Sequence, residues 1–94
     1  MGFRMYPPLT TGEIQEVLRA RGFRIRNTNS SHQQWGISAT NSTPAYLVTV
    51  DTNYAQPCEK LLKTMIRQSG LSREQFYGSA KGSARKASVP FLLK

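Results

Sequence analysis

The chain has 94 residues, enough for one small domain and too few for a second core. Thirteen Lys and Arg against five Asp and Glu leave a formal net charge of +8, which favours polyanionic partners such as nucleic acid or an anionic membrane. One cysteine and one histidine exclude an internal disulfide scaffold and a four-ligand structural zinc site.

No window approaches the roughly 20 apolar residues of a membrane span, and residues 1–9 lack the apolar run of a signal peptide. The expectation is a cytoplasmic protein in a reducing setting, with no metal and no cofactor. Residues 1–9 read as an N-terminal extension closed by Pro7 and Pro8. Thr10, followed three residues later by Glu13, predicts a capping box, and Ile14, Val17 and Leu18 form one helical stripe. The first helix is therefore expected over about Thr11 to Arg21, stopped by Gly22.

From Phe23 the period changes to two. Phe23 and Ile25 are expected inward and Arg24 and Arg26 outward on a short strand, before the turn cluster Asn27 to Ser31. A second strand carries Trp35, Ile37 and Ala39 on one face and His32, Gln34, Gly36 and Ser38 on the other. Thr40 to Pro44 is another turn, and Ala45 to Asp51 a third strand with Tyr46, Val48 and Val50 on one face.

Pro57 suits the first position of a second helix, which presents Leu61, Leu62, Met65 and Ile66 on its apolar side and ends at Gly70. Ser72 and Gln75 repeat the capping-box spacing ahead of a short turn that delivers Phe76. The order is α-β-β-β-α. It predicts an α+β domain over residues 10–77, a three-stranded antiparallel sheet with two helices on one face and the other face wet. The Gly-, Ser- and Ala-rich stretch that follows reads as a flexible basic tail over 78–94, ending in an apolar plug at Val89 to Leu93.

The candidate chemistry centres on His32, the only histidine. Alternation places Arg24 and Arg26 beside His32 and Gln34 as one cationic patch, and Lys60, Lys63 and Arg67 along one stripe of the second helix. Such a stripe is also what an ordinary solvated helix face looks like; the net charge of +8 tips the set towards phosphate. An imidazole exchanges protons near neutrality, and RNA cleavage needs a base for the 2′-hydroxyl and cations for the charge at phosphorus. Trp35 and Phe23 read as core, Tyr54 and Tyr77 as residues free to stack on bases, and Cys58 as a small core residue.

The pieces Thr11-Gly12-Glu13-Ile14 with Leu18, Arg21-Gly22-Phe23, Ser31-His32 with Trp35, and Leu47-Val48-Thr49-Val50 are similar to the HicA family of small bacterial toxins. The closing segment Ile66 to Ser72, with Glu74 and Phe76, is the most specific part of the resemblance. That resemblance implies a fold like the double-stranded-RNA-binding domain and activity as a metal-independent mRNA interferase. It makes His32 the catalytic residue with Ser31 as its neighbour, and implies a HicB-like antitoxin as protein partner. Ser30 stands where the family has Gly, and Asp51-Thr52-Asn53 where it tends to have Pro and a second His.

The expected function is thus a HicA-like endoribonuclease with His32 as general acid or base. Arg24, Arg26, Ser31, Gln34, Lys60, Lys63 and Arg67 are the expected RNA contacts. The alternative is a non-catalytic module on the same fold, binding RNA or docking a phage or host protein.

Overall fold

The computed structural model of the chain describes residues 6–92. Its elements in order are α1 (Thr11–Ala20), β1 (Arg24–Asn29), β2 (His32–Ile37), β3 (Tyr46–Asp51), α2 (Glu59–Ser69), α3 (Arg73–Tyr77) and α4 (Lys81–Ala87). The expected α+β order α-β-β-β-α is present, extended by two short helices.

The Thr10 side chain accepts from the Glu13 N–H at 3.1 Å while the Glu13 carboxylate accepts from the Thr10 N–H at 2.8 Å. This reciprocal cap opens α1. Ser72 and Gln75 build the same device at α3. The strands form one antiparallel sheet in the order β1-β2-β3. Its inner face places Trp35, Val48 and Val50 in one core with Ile14, Val17 and Leu18 of α1 and Leu62, Met65 and Ile66 of α2. The Trp35 indole N–H donates to Gln33 Oε1 at 3.1 Å, which also accepts from Gln15 of α1 at 2.9 Å. The one polar atom of the buried ring is thereby satisfied.

Several expectations are corrected. β1 runs on through Asn27, Thr28 and Asn29, because an edge strand exposed on both faces needs no apolar alternation. A bulge between Ile25 and Asn27 breaks the strict period, and Ile25 on this edge is 46% exposed. The chain stays extended through Cys58 (ψ 167°), so α2 begins at Glu59; Pro57 takes the buried place and Cys58 faces solvent.

The flexible tail is corrected most. Ala80, Ala84 and Ala87 recur at helical spacing and are all buried, so the small side chains let α4 pack closely. Ser83 Oγ donates to the Tyr77 carbonyl at 2.7 Å, and Lys86 Nζ reaches the capping carboxylate of Glu13 at 2.8 Å. Burial by itself would raise the Glu13 carboxyl, but the hydrogen bonds from Lys86 and the Thr10 backbone outweigh it and hold the group below its ordinary range. Of the apolar plug, Val89 is buried, Phe91 and Leu92 are exposed, and Leu93 lies outside the described residues, as do the first five residues of the N-terminal extension. From the rest of that extension Leu9 enters the core, and the Pro7 carbonyl accepts from the Tyr77 hydroxyl. Tyr77 is therefore buried rather than free to stack, and burial pushes its hydroxyl up to about 12.

Gly70 closes α2 in the left-handed conformation, φ 76°, with the Tyr46 ring against its α-carbon. A Cβ built there would lie 2.3 Å from the ring. Gly70→Ala is expected to cost about 1–3 kcal/mol, combining a left-handed backbone penalty with a forced shift of the ring. Urea denaturation checks this; an unchanged midpoint would mean that Tyr46 does not seat on Gly70.

Candidate functional site

Antiparallel pairing puts His32, the first residue of β2, opposite Asp51, the last of β3, both on the face away from the core. His32 Nε2 lies 3.4 Å from Asp51 Oδ2, with 57% of the His32 side chain exposed and 24% of Asp51. The carboxylate is held from the other side by the turn that follows β3. The Asn53 backbone N–H donates to Asp51 Oδ1 at 3.0 Å, and the Asn53 amide donates to Ser31 Oγ at 2.9 Å. Thr52 donates to the Ser31 carbonyl through both its N–H (2.8 Å) and its hydroxyl (3.0 Å). These bonds tie the β1–β2 hairpin turn to the end of β3 and orient the acid beside the imidazole.

The backbone N–H of Asn53 above all, then the Ser31 hydroxyl and the charge of His32, keep the Asp51 carboxyl below its ordinary value of 3.8. It is a fixed anion at neutral pH.

The hairpin turn is the two-residue pair Ser30–Ser31, with Ser30 at φ 59°. Glycine occupies positive φ without the crowding that a Cβ brings, and two-residue hairpins favour it at such positions. Ser31 is engaged in the turn itself and acts here as a tie between strands.

A groove opens from His32 between β3 and α2. It encloses about 280 Å³, with Val50, Met65 and Pro57 among its apolar lining and Thr49, Thr64 and Gln68 among its polar lining. Leu61, Thr64, Met65 and Gln68 share one side of α2 because they are three and four residues apart. Gln68 Oε1 accepts from the Thr49 N–H at 3.2 Å, closing part of the free edge of β3 and holding the helix at that distance. The Thr11 hydroxyl donates to the Tyr54 carbonyl, anchoring the loop at the groove's mouth to the start of α1.

The charged residues fall into two groups. Arg24 pairs with Gly36 at the far end of the hairpin, and the strand rise of about 3.3 Å per residue puts that end roughly 13 Å from His32. The Arg24 guanidinium turns back to the carbonyls of Phe23 (2.8 Å) and Arg19 (3.4 Å), while Arg26 lies over Gly36 and donates to Ser38 Oγ at 3.1 Å. The expected cationic patch around His32 is thus not formed: with Ser30–Ser31 as the turn, Asn29 faces His32 and Asn27 faces Gln34, and Arg26 falls at the bulge beyond them. Gln34 sits on the outer face between Asn27 and Thr49.

Lys60, Lys63 and Arg67 are all exposed on α2. At about 100° per residue, Lys60 and Arg67 come directly beside Thr64 around the helix. The basic stripe therefore borders the groove. Lys63 also reaches Glu59 at 3.5 Å in an exposed pair of little energetic weight.

Asp51 as the partner of His32, and Thr49, Thr64 and Gln68 as groove residues, were not singled out from sequence. The alternation Val48-Thr49-Val50-Asp51 carries the signal for two of them, but the β2–β3 register does not follow from it. Among the described residues no group of three or more His, Cys, Asp or Glu is placed to hold a metal ion, and no helix is long and apolar enough to cross a membrane. Compared with known proteins, the chain matches no family model and no curated protein.

The lowered Asp51 carboxyl has a sign in stability. A depressed acid contributes fully above its unfolded value and loses that contribution as the pH falls through the folded one. Wild type is therefore expected to lose stability below about pH 4 more steeply than Asp51→Asn, read from urea midpoints across pH 2.5–6. Parallel curves would show that the tie between Asn53, Ser31 and the carboxylate does not form.

Proposed function

We propose that this chain is a HicA-like, metal-independent endoribonuclease acting on mRNA in the cytoplasm, with a HicB-like antitoxin as the partner that blocks it. The observation that carries the reading is the placement of His32: half-exposed at the mouth of a groove, 3.4 Å from a fixed aspartate, with the basic stripe of α2 bordering the groove's helix wall. One further feature supports it: Ser30, where the family carries Gly, has the positive φ that glycine favours, directly ahead of Ser31 and His32 at the strand start.

The chemistry asks little of the protein. Neutral His32 takes the proton of a ribose 2′-hydroxyl; the 2′-oxygen forms a bond to the adjacent phosphorus, the bond to the 5′-oxygen breaks, and water protonates the leaving oxygen. The products are a 2′,3′-cyclic phosphate and a 5′-hydroxyl, with no metal required.

With Nε2 turned to Asp51, Nδ1 is the nitrogen that meets the hydroxyl. Asp51 is a positioning residue: it fixes the ring and offsets the charge of the imidazolium that forms. Lys60, Lys63 and Arg67 bind the phosphates. Arg24 and Arg26, about four strand residues away, reach only a more distant part of a bound strand.

The test uses purified full-length protein and a 5′-labelled single-stranded RNA, without added metal. Wild type is expected to give fragments ending in 2′,3′-cyclic phosphate, and His32→Ala to cut at least 100-fold more slowly while binding the RNA within about twofold of wild type. Equal cleavage by both proteins would contradict the assignment of His32. Intact RNA bound normally by wild type would leave a non-catalytic RNA-binding module.

A further inference from the structure

We propose that the groove between β3 and α2 takes one unstacked nucleobase of a single-stranded RNA, seated beside His32 while the flanking phosphates run along Lys60 and Arg67. The inference rests on the reading of the chain as an RNA binder and is independent of whether it cleaves.

Size gives the first argument. A volume of about 280 Å³ falls just below the usual range of ligand pockets, about 300–1,000 Å³, and suits one planar ring system rather than a larger ligand. The lining gives the second: Leu61, 38% exposed although it lies on the apolar side of α2, is the apolar side chain open to a base face, above a floor of the buried Val50 and Met65.

The polar groups give the third. Gln68 Oε1 is occupied by the Thr49 N–H, so its amide nitrogen is the end left to donate. Thr64 Oγ1 donates to the Lys60 carbonyl at 3.1 Å, so its lone pairs are left to accept. Gln68 and Thr64, neighbours one turn apart on the same side of α2, thus offer one donor and one acceptor to the edge of a base. The charged stripe that follows Thr64 around α2 places cations where the sugar-phosphate chain must pass.

A duplex cannot use this site, because its bases stay stacked and present only groove edges, whereas sequence-reading of RNA relies on splayed, unpaired bases. Beyond Tyr54, Pro57 and Leu61 a second hollow of about 580 Å³ continues to Tyr6 and Cys58. Tyr54, 49% exposed, forms the ridge between the two hollows and offers a ring to the neighbouring base.

Fluorescence anisotropy of the full-length chain with a fluorescein-labelled 10-mer, 2′-O-methylated throughout so that it cannot be cut, tests the proposal. The single strand is expected to bind at least tenfold tighter than the same sequence in a duplex. Thr64→Phe, which fills the groove, is expected to weaken the single strand about tenfold and leave the duplex within twofold. Leu61→Asn, at a half-exposed position that tolerates a polar group, is expected to give a loss in the same direction and serves if Thr64→Phe does not fold. Equal losses for single strand and duplex, no loss in a folded variant, or no binding of the single strand would each overturn the proposal. The expected pattern together with intact unmethylated RNA would instead remove the nuclease reading and leave the base site standing.

Discussion

Trp35 lies opposite Val48 with both side chains buried, and that pairing fixes the register of β2 against β3. A slip of one residue would carry every side chain of the strand to the other face, expelling the indole from the core. The same register sets His32 opposite Asp51 three residues away and on the opposite face, since three is an odd step along a strand of period two. The geometry of the candidate site is therefore maintained by apolar burial that the site itself does not touch.

The second constraint is the free edge of β3. An unpaired strand edge invites association, and here α2 lies against it with Gln68 accepting from the Thr49 N–H. A helix held beside a strand by side-chain bonds leaves a trough between them, and the trough begins at His32. Gly70, with Tyr46 on its α-carbon, closes the end of α2 and fixes how far the helix runs along the strand. α3 and α4 then cover the remaining core, with the Lys86–Glu13 pair joining the last helix to the cap of the first.

The periodicities were legible where one face is buried. The stripes of α1 and α2, the inward set Trp35, Val48 and Val50, and both capping boxes follow from spacing because burial and capping act locally. The Asn and Thr residues of β1 carry turn propensity, which backbone pairing across the hairpin overrides, so the strand is longer than its sequence suggests. Across the expected tail over 78–94, Gly, Ser and Ala signal flexibility by composition, while the alanine stripe at helical spacing signals the close packing that α4 adopts. At the site, His32 and the basic face of α2 were visible in sequence. Its aspartate was not, because the eight residues between Ile37 and Tyr46 leave the register of β3 open to any turn length. Arg24 and Arg26 are not part of the site because an antiparallel hairpin sets the start of β1 beside the end of β2, away from the turn that His32 follows, and alternation does not reveal where that turn falls.

The central claim is that RNA is bound at the His32 end of the sheet, between β3 and α2. Backbone amide shifts of the isotopically labelled chain, followed by NMR during titration with an uncleavable single-stranded RNA, test it most directly. The account predicts the largest changes at His32, Thr49, Asp51, Thr64 and Gln68, with small ones at Ile25 and Gly36. Changes concentrated at the Arg24–Arg26 end of the hairpin, with the groove residues unmoved, would contradict it.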